Sequence, residues 1–146
     1  MFKRVENNIN LADMENEISN YWDEIDAFQT SLNNRNTDKV FRFYDGPPFP
    51  TGSPHYGNLL AGVIKDIVPR YWTMRGYYVE RRFGWDVHGL PIEMEVQKNL
   101  NLEDPQQIDE YGIDKFNEAC RTQVQTNTEN WEKITRKIGR WVDFEN

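Results

Sequence analysis

The chain has 146 residues, with 17 Lys and Arg against 24 Asp and Glu, a formal charge of −7; so acidic a surface is a poor main grip on nucleic-acid phosphates, whose binding is largely cationic. A 38% hydrophobic and 14% aromatic content suffices for one core, yet no run approaches the ~20 apolar residues of a membrane helix, and "MFKRVENNINLADMENE" lacks the apolar stretch of a signal peptide. The single cysteine, Cys120, excludes an internal disulfide and a cysteine-based zinc site, and fits a reducing compartment.

Residues 10–32 carry Leu11, Met14, Ile18, Trp22 and Ile25 at three- and four-residue steps, which predicts an amphipathic helix capped by Asn10. A lone helix of this kind has nothing to bury against, so it is expected to pack on a neighbour. "NNRNTDK" reads as a polar linker. "VFRFYD", Val40–Asp45, reads as a short strand stopped by Pro47 and Pro48. The next helix is expected to start with Ser53 as N-cap, Pro54 at N1 and His55 at N2. Its apolar stripe runs through Leu59, Leu60, Val63, Ile64, Ile67, Val68, Tyr71 and Trp72 to a stop at Gly76. Pro69 interrupts that pattern and predicts a kink.

"YYVERRFG", Tyr77–Gly84, is a second strand candidate, and its basic residues read either as a local phosphate contact or as one positively charged strand end. Strand, helix and strand in this spacing predict a right-handed parallel crossover. "LPIEMEVQKNL" opens a helix with Pro91 at N1, and Asp104–Gly112 reads as a short capped helix. Residues 114–138 form a last helix with Phe116, Cys120, Val124, Trp131, Ile134 and Ile138 on one face, and "QTNTEN" is a weak middle where it is expected to break.

The stretch "DGPPFPTGSPHYGNLLAG" from Asp45 to Gly62 follows a strand and ends at a helix N-terminus. Open α/β sheets place ligands in that crevice, and the first helical turn favours an anion. Gly52 and Gly57 let a ligand approach the backbone. His55 and Asn58, three residues apart, share one helix face and both can donate to phosphate oxygens. The pattern suits a polyphosphate, although a plain Pro/Gly turn with a capping histidine has the same spacing. It is neither a Walker A loop nor G-x-G-x-x-G.

"FGWDVHGLPIE" puts Asp86 and His88 after the second strand, at the same sheet edge, where a carboxylate would hold an ammonium group. His55, His88, Asp86 and Glu93 as metal ligands lack any metal-binding spacing. Trp85 reads as core by default, or as a pocket wall.

"PFPTGSPHYGN" resembles the first signature of the class I aminoacyl-tRNA synthetases, their "HIGH" motif, here His55-Tyr56-Gly57-Asn58. "GWDVHGLPIE" is similar to a companion segment of the isoleucine-specific members, and "FYDGPP", "IKDIVPRYWTMRGY" and "NWEKITRKIGRWVDFEN" extend the likeness over nearly the whole chain. The resemblance implies an α/β fold: an incomplete Rossmann core (parallel βαβ, HUP-like) over 37–100, an N-terminal helical arm and linker over 1–36, and a helical extension over 101–146. It implies activation of L-isoleucine by ATP with Mg²⁺, then transfer to tRNA(Ile) in translation, in the cytoplasm. His55 and Asn58 would be catalytic, stabilising phosphate charge rather than moving protons. Pro48, Thr51, Gly52 and Gly57 would join them in holding ATP, and Gly46, Pro47, Asp86 and His88 would hold the amino acid.

The sequence departs from the family in having Asn at the fourth motif position, whose amide still donates, and Pro69 within the helix. The second family signature, K-M-S-K-S, has only the lookalike "KITRK" (Lys133–Lys137), which reads as a packed helix because Ile134 belongs to the apolar stripe. Editing and anticodon-binding regions are not in these 146 residues, so the chain reads as an N-terminal fragment with weak nucleotide binding and little or no turnover of its own. An incomplete sheet predicts self-association, and this acidic segment is not expected to be the main tRNA contact. Other readings are a different H-x-G-[HN] nucleotidyltransferase, a valine or leucine relative, or an inactive binding fragment.

Overall fold

The computed structural model describes residues 8–145; the first seven residues of the predicted arm, and Asn146, lie outside them. The elements in chain order are α1 (Leu11–Glu24), α2 (Ala27–Asn33), β1 (Asn36–Val40), α3 (Tyr56–Met74), β2 (Tyr77–Tyr78), α4 (Leu90–Leu100), α5 (Pro105–Tyr111) and α6 (Ile113–Lys137). β1 and β2 form a two-stranded parallel sheet, with α3 as the crossover between them.

The arm is two helices rather than one. Asn10 caps α1 as expected, its side chain accepting from Ala12 N at 3.1 Å. The helix stops where Asp26 takes a left-handed φ of 45°. α1 buries none of its residues. It holds to the body through Trp22, which meets Trp141 edge-on at 5.4 Å beside the Arg70 guanidinium, itself 4.0 Å from the Trp141 ring. Asp66 fixes that guanidinium at 2.6 Å and accepts from Trp141 N at 3.2 Å.

The first strand is Asn36–Val40, not Val40–Asp45, so part of the predicted linker is strand. Aromatic and β-branched side chains suit an extended backbone, but a ladder also needs a partner, and only Tyr77 and Tyr78 supply one. Phe41 N still donates to Tyr78 O at 3.0 Å, after which the chain runs on unpaired. The second strand is likewise shorter than Tyr77–Gly84. Its continuation makes an isolated parallel bridge, Arg82 to Asp143, closed by Asp143 N to Arg81 O at 2.9 Å and Phe83 N to Asp143 O at 2.7 Å.

α3 passes through Pro69 without a break. The proline is buried, and Thr73 Oγ1 donates to its carbonyl at 2.8 Å. Gly76 ends the helix at φ +87°, a conformation that costs glycine little. Trp72 packs on the sheet, stacked on Phe41 at 4.7 Å and edge-on to Tyr77 at 4.9 Å. Most of the predicted apolar stripe is exposed, however: Leu60 at 63% and Ile67 at 58%. The side of α3 that is buried is Gly62, Pro69 and Thr73.

α4 starts at Leu90 after Gly89, so Pro91 is its second residue rather than its first. α5 has the expected cap: Asp104 accepts from Gln107 N at 3.0 Å, and the Gln107 side chain reaches back to the Asp104 backbone at 3.4 Å. α6 runs unbroken through "QTNTEN". α4 and α6 pack together, with Ile92 and Val96 of α4 and Phe116 and Trp131 of α6 buried, and Leu32, Val79 and Val142 are also buried. Arg81 is buried too, at 2% exposure. Its Nη2 donates to Thr73 Oγ1, and its guanidinium lies 5.4 Å from the Phe28 ring centre, while Nε and Nη1 have no hydrogen-bond partner. Burial pushes its pKa down to about 10, with Asp66 opposing.

Candidate functional site

The turn between β1 and α3 is built around a reciprocal cap. His55, not Ser53, is the N-cap, with φ −97° and ψ 171°, and α3 begins at Tyr56. His55 Nδ1 accepts from Gly57 N at 3.1 Å, and Asn58 Oδ1 accepts from His55 N at 3.0 Å. A histidine ranks below Ser, Asp and Asn as a cap; here the ring substitutes because its Nδ1 reaches the same amide. Accepting at Nδ1 puts the neutral ring's proton on Nε2. Asn58, having spent its oxygen on the cap, keeps its amide donors. The cap therefore leaves an imidazole N–H and an amide NH₂ at the positive end of a 19-residue helix. Gly57 lies close under the ring: a Cβ there would sit 3.0 Å from His55 Cε1, and the ring would have to give by a few tenths of an ångström.

The loop before the cap is strapped by α4 and α6. Asn127 Nδ2 donates to Pro50 O at 2.6 Å and to Glu95 Oε2 at 3.0 Å. Trp131 Nε1 donates to Gly52 O at 2.9 Å, and Gly52 N donates to Glu95 Oε1 at 3.3 Å. Asn130 Nδ2 reaches Ser53 Oγ at 3.2 Å, and Gln123 Nε2 bonds both Asn127 Oδ1 at 3.1 Å and Glu95 Oε1 at 3.3 Å. A loop with four prolines cannot bond its own backbone fully, so side chains from elsewhere supply the partners. Gln123, Asn127, Asn130 and Trp131, with Glu95, were not singled out from the sequence as site residues. The available signal was the run of amides at helical spacing in "QVQTNTENW", Gln123–Trp131, which reads as weak helix until the loop is seen against it.

At the other end of the loop, Asp45 is nearly buried between Lys65 and Arg140, at 2.5 Å from each. Lys65 Nζ also donates to Gly46 O at 2.9 Å. The second loop joins the first through Asp86 N, which donates to Pro48 O at 2.9 Å. Gly84 lies against Pro47, with 3.6 Å between the proline Cβ and the place a Gly84 Cβ would take. Trp85 is half-buried, edge-on to Trp131 at 6.4 Å, and lines a cavity. Asp86 Oδ1 is buried without a hydrogen-bond partner, and the exposed His88 Nε2 is 3.7 Å away, too long for a hydrogen bond.

Four of the sequence-derived candidates line two clefts. Gly46, Pro48 and Asn58 line a cavity of about 200 Å³ with Pro54, Lys65 and Trp131. Pro47 lines a cleft of about 330 Å³ with Phe43, Gly84 and Trp85. His55, Gly57 and His88 lie on exposed surface. Thr51 closes a tight turn by donating N–H to Phe49 O at 2.9 Å, and Gly52 takes φ +56°. "KITRK" is the last turn of α6, with Thr135 buried and Ile134 lining the first cavity. Among the described residues no group of three or more His, Cys, Asp or Glu is placed to hold a metal ion. No helix among them is long and apolar enough to cross a membrane.

Residues 17–146 match the family model described as tRNA synthetases class I (I, L, M and V). The chain is 54% identical over 134 residues to an isoleucine–tRNA ligase of Chlamydia caviae, covering 92% of this chain and 13% of the relative. It is 48% identical over 146 residues to that of Treponema denticola, covering 100% of this chain and 13% of the relative. The chain thus spans about an eighth of the length of these curated relatives. Among solved structures it is similar to the agnB2 LeuRS of Agrobacterium radiobacter K84, in a ternary complex described as LeuRS-tRNA-LeuAMS. That match has a TM-score of 0.63 and 18% identity, and covers 89% of this chain and 14% of the other, a likeness of fold.

Proposed function

We propose, since this chain belongs to the class I tRNA synthetases, that it supplies the phosphate-facing turn and the amino-acid-facing loop of an enzyme that joins L-isoleucine to ATP and passes it to tRNA(Ile). The two-stranded parallel sheet with its α3 crossover is then the start of a larger Rossmann-type core, with the arm over 1–36 and the helical extension over 101–146 packed around it. Isoleucine as substrate is supported by the identity to isoleucine–tRNA ligases over nearly the whole chain.

The observation that carries this reading is the reciprocal cap at His55 and Asn58. In adenylation a substrate carboxylate oxygen attacks the α-phosphorus of ATP, a P–O bond to pyrophosphate breaks, and negative charge builds on the phosphate oxygens. His55 Nε2–H and the Asn58 amide would donate to those oxygens. Because each side chain is already pinned by the cap, little reorganisation is needed as charge develops. No proton moves from either residue. Gly57 leaves the nucleotide room, and Pro48, Thr51 and Gly52 form the rest of its bed, with Mg²⁺ arriving on the ATP. Asp86 would take the isoleucine ammonium by a charge-assisted bond, a role that suits its unpartnered Oδ1. Pro47 would line the amino-acid cleft beside Gly84 and Trp85, Gly46 would border it from the cavity it shares with Pro48 and Asn58, and the exposed His88 would close over it.

The test is isoleucine-dependent pyrophosphate exchange into ATP, measured on the intact protein that contains this chain. His55→Ala is expected to slow exchange by about tenfold or more, the scale of a lost transition-state donor. Exchange at the unaltered rate would remove the role assigned to His55. The chain by itself is expected to bind nucleotide weakly and to turn over little.

A further inference from the structure

The segment from Asp45 to Pro48 is the partition between the two clefts. Asp45 and Pro47 line the larger one, and Gly46 and Pro48 line the smaller one beside Lys65 and Arg140. The segment is poorly equipped to hold its own shape. Pro47 and Pro48 have no N–H to donate. Gly46 is conformationally free, and a Cβ there would meet nothing within 4 Å, so packing does not fix its backbone. Two bonds reach the segment's backbone among the described residues: Lys65 Nζ to Gly46 O at 2.9 Å and Asp86 N to Pro48 O at 2.9 Å.

What remains is charge. The Asp45 side chain is 5% exposed and that of Arg140 is 7% exposed. Arg140 Nη2 donates to Asp45 Oδ2 at 2.5 Å, and Lys65 Nζ lies 2.5 Å from Oδ1. Oδ1 makes no directed hydrogen bond, so the second contact is one between charges. Burying such a group costs desolvation that its mutual attraction barely offsets. Its effect is on geometry, because a carboxylate between two fixed cations has one place to sit. Both cations are fixed from α3. Lys65 belongs to that helix, which carries His55 and Asn58 at its mouth. Arg140 is tied to it on both sides: Gly139 O accepts from Arg70 Nη2 at 2.5 Å, and Trp141 N donates to Asp66 Oδ1 at 3.2 Å. Its guanidinium also lies 5.3 Å from the Phe83 ring centre.

We propose that Arg140 and Lys65 are positioning residues for the amino acid. Acting through Asp45, they fix the Gly46–Pro47 turn against α3, and so set the isoleucine carboxylate against the phosphates that His55 and Asn58 face. The assignment rests on the proposed function. Adenylation requires the attacking oxygen and the α-phosphorus to meet at about 3–3.5 Å. The turn that holds one substrate and the helix mouth that holds the other are joined only by a loop of prolines and glycines, so a rigid tie between them has to come from side chains.

The test is pyrophosphate exchange in the intact protein, with isoleucine and ATP varied separately. Arg140→Met leaves Asp45 paired with Lys65, and Lys65→Met leaves it paired with Arg140, so neither strands a buried charge. Each is expected to lower kcat/KM for isoleucine by about tenfold or more, the scale of a small misplacement. KM for ATP is expected to stay as it was, since the His55–Asn58 cap is untouched. Arg140→Lys is expected to recover most of the loss, because the contact uses one nitrogen of the guanidinium and an ammonium can make it. Amide exchange gives a readout without catalysis. In Arg140→Met the Asp86 amide, bonded to Pro48 O, is expected to exchange faster, while the Gly57 amide, bonded to the His55 ring, is not. No isoleucine-dependent exchange in the unaltered protein overturns the proposed function, and this role with it. With exchange present, the positioning role alone is overturned by unaltered isoleucine kinetics in both variants, by equal losses toward ATP and isoleucine, by a loss that Arg140→Lys does not recover, or by an unchanged Asp86 amide.

Discussion

Asn127→Leu is the most direct probe of how the phosphate-facing loop is held. The side chain is 7% exposed and makes three hydrogen bonds: to Pro50 O at 2.6 Å, to Glu95 Oε2 at 3.0 Å, and from Gln123 Nε2 at 3.1 Å. Leucine has nearly the same size, so the change is chiefly chemical. Two bonds between neutral groups contribute about 1 kcal/mol each, and one to a carboxylate about 1.5–3 kcal/mol, giving ~3–5 kcal/mol in all. Burying the new apolar side chain returns ~1–2 kcal/mol. The net expected loss is ~1–4 kcal/mol, a sizeable share of the ~5–15 kcal/mol of an ordinary domain. Urea unfolding followed by tryptophan fluorescence measures it, with the denaturant slope expected to stay constant because the same surface unfolds. Hydrogen exchange localises it. The Gly52 amide, bonded to Glu95 in the same network, is expected to exchange faster while amides in the middle of α3 do not. A loss under ~1 kcal/mol at constant slope, or unchanged protection at Gly52, refutes the strap.

Arg81→Met removes a buried guanidinium whose Nε and Nη1 are unpartnered and whose pKa burial pushes down to about 10. The folded state thus disfavours the charge, so the variant is expected to be more stable at neutral pH by ~1–2 kcal/mol, measured by thermal unfolding; a comparable loss would show that the Thr73 and Phe28 contacts outweigh the desolvation. Gly57→Ala places a Cβ 3.0 Å from His55 Cε1 and so shifts the ring by a few tenths of an ångström. Helix stability is expected to hold or rise by up to ~1 kcal/mol while pyrophosphate exchange in the intact protein falls; equal exchange would separate ring position from activity. Burial, and secondarily Glu93, raise the Cys120 thiol above its ordinary pKa. Its thiolate is therefore scarcer at any pH below that point, and iodoacetamide is expected to react more slowly than with a free thiol, its rate–pH curve displaced upward; a rate matching a free thiol counts against the assignment.

Much of this was legible beforehand because the signals were local. Asn10 and Asp104 act on amides within three residues, so their caps follow from the residues alone. Gly76 ends α3 for the same reason. The cap of α3 was misplaced by two residues because Ser53 and Pro54 satisfy the general preference, and only the bond from Gly57 N to the His55 ring shows which residue takes the position. The strand limits were misjudged because a ladder is a property of two segments: Phe43 and Tyr44 suit a strand as well as Thr37 and Lys39 do, but the partner is at Tyr77 and Tyr78. "QTNTEN" was expected to break a helix because propensity is summed residue by residue. In the folded chain Asn127 and Gln123 gain partners on the loop and on Glu95, which no propensity scale contains.

By itself, the sequence determined the family through two motif-bearing loops, the crossover between them, and the placing of His55 and Asn58 at a helix mouth. All of these depend on residues close together in the chain. Only the tertiary structure decided which nitrogen of His55 is left to donate. It alone showed that α6 holds the Pro50–Ser53 loop from more than seventy residues away, and that α3 turns its apolar side outward. Those depend on which surfaces meet. Hydrophobic pattern marks a face for burial, but whether that face meets another is settled by the rest of the fold, and α3 keeps Leu60, Ile64 and Ile67 exposed.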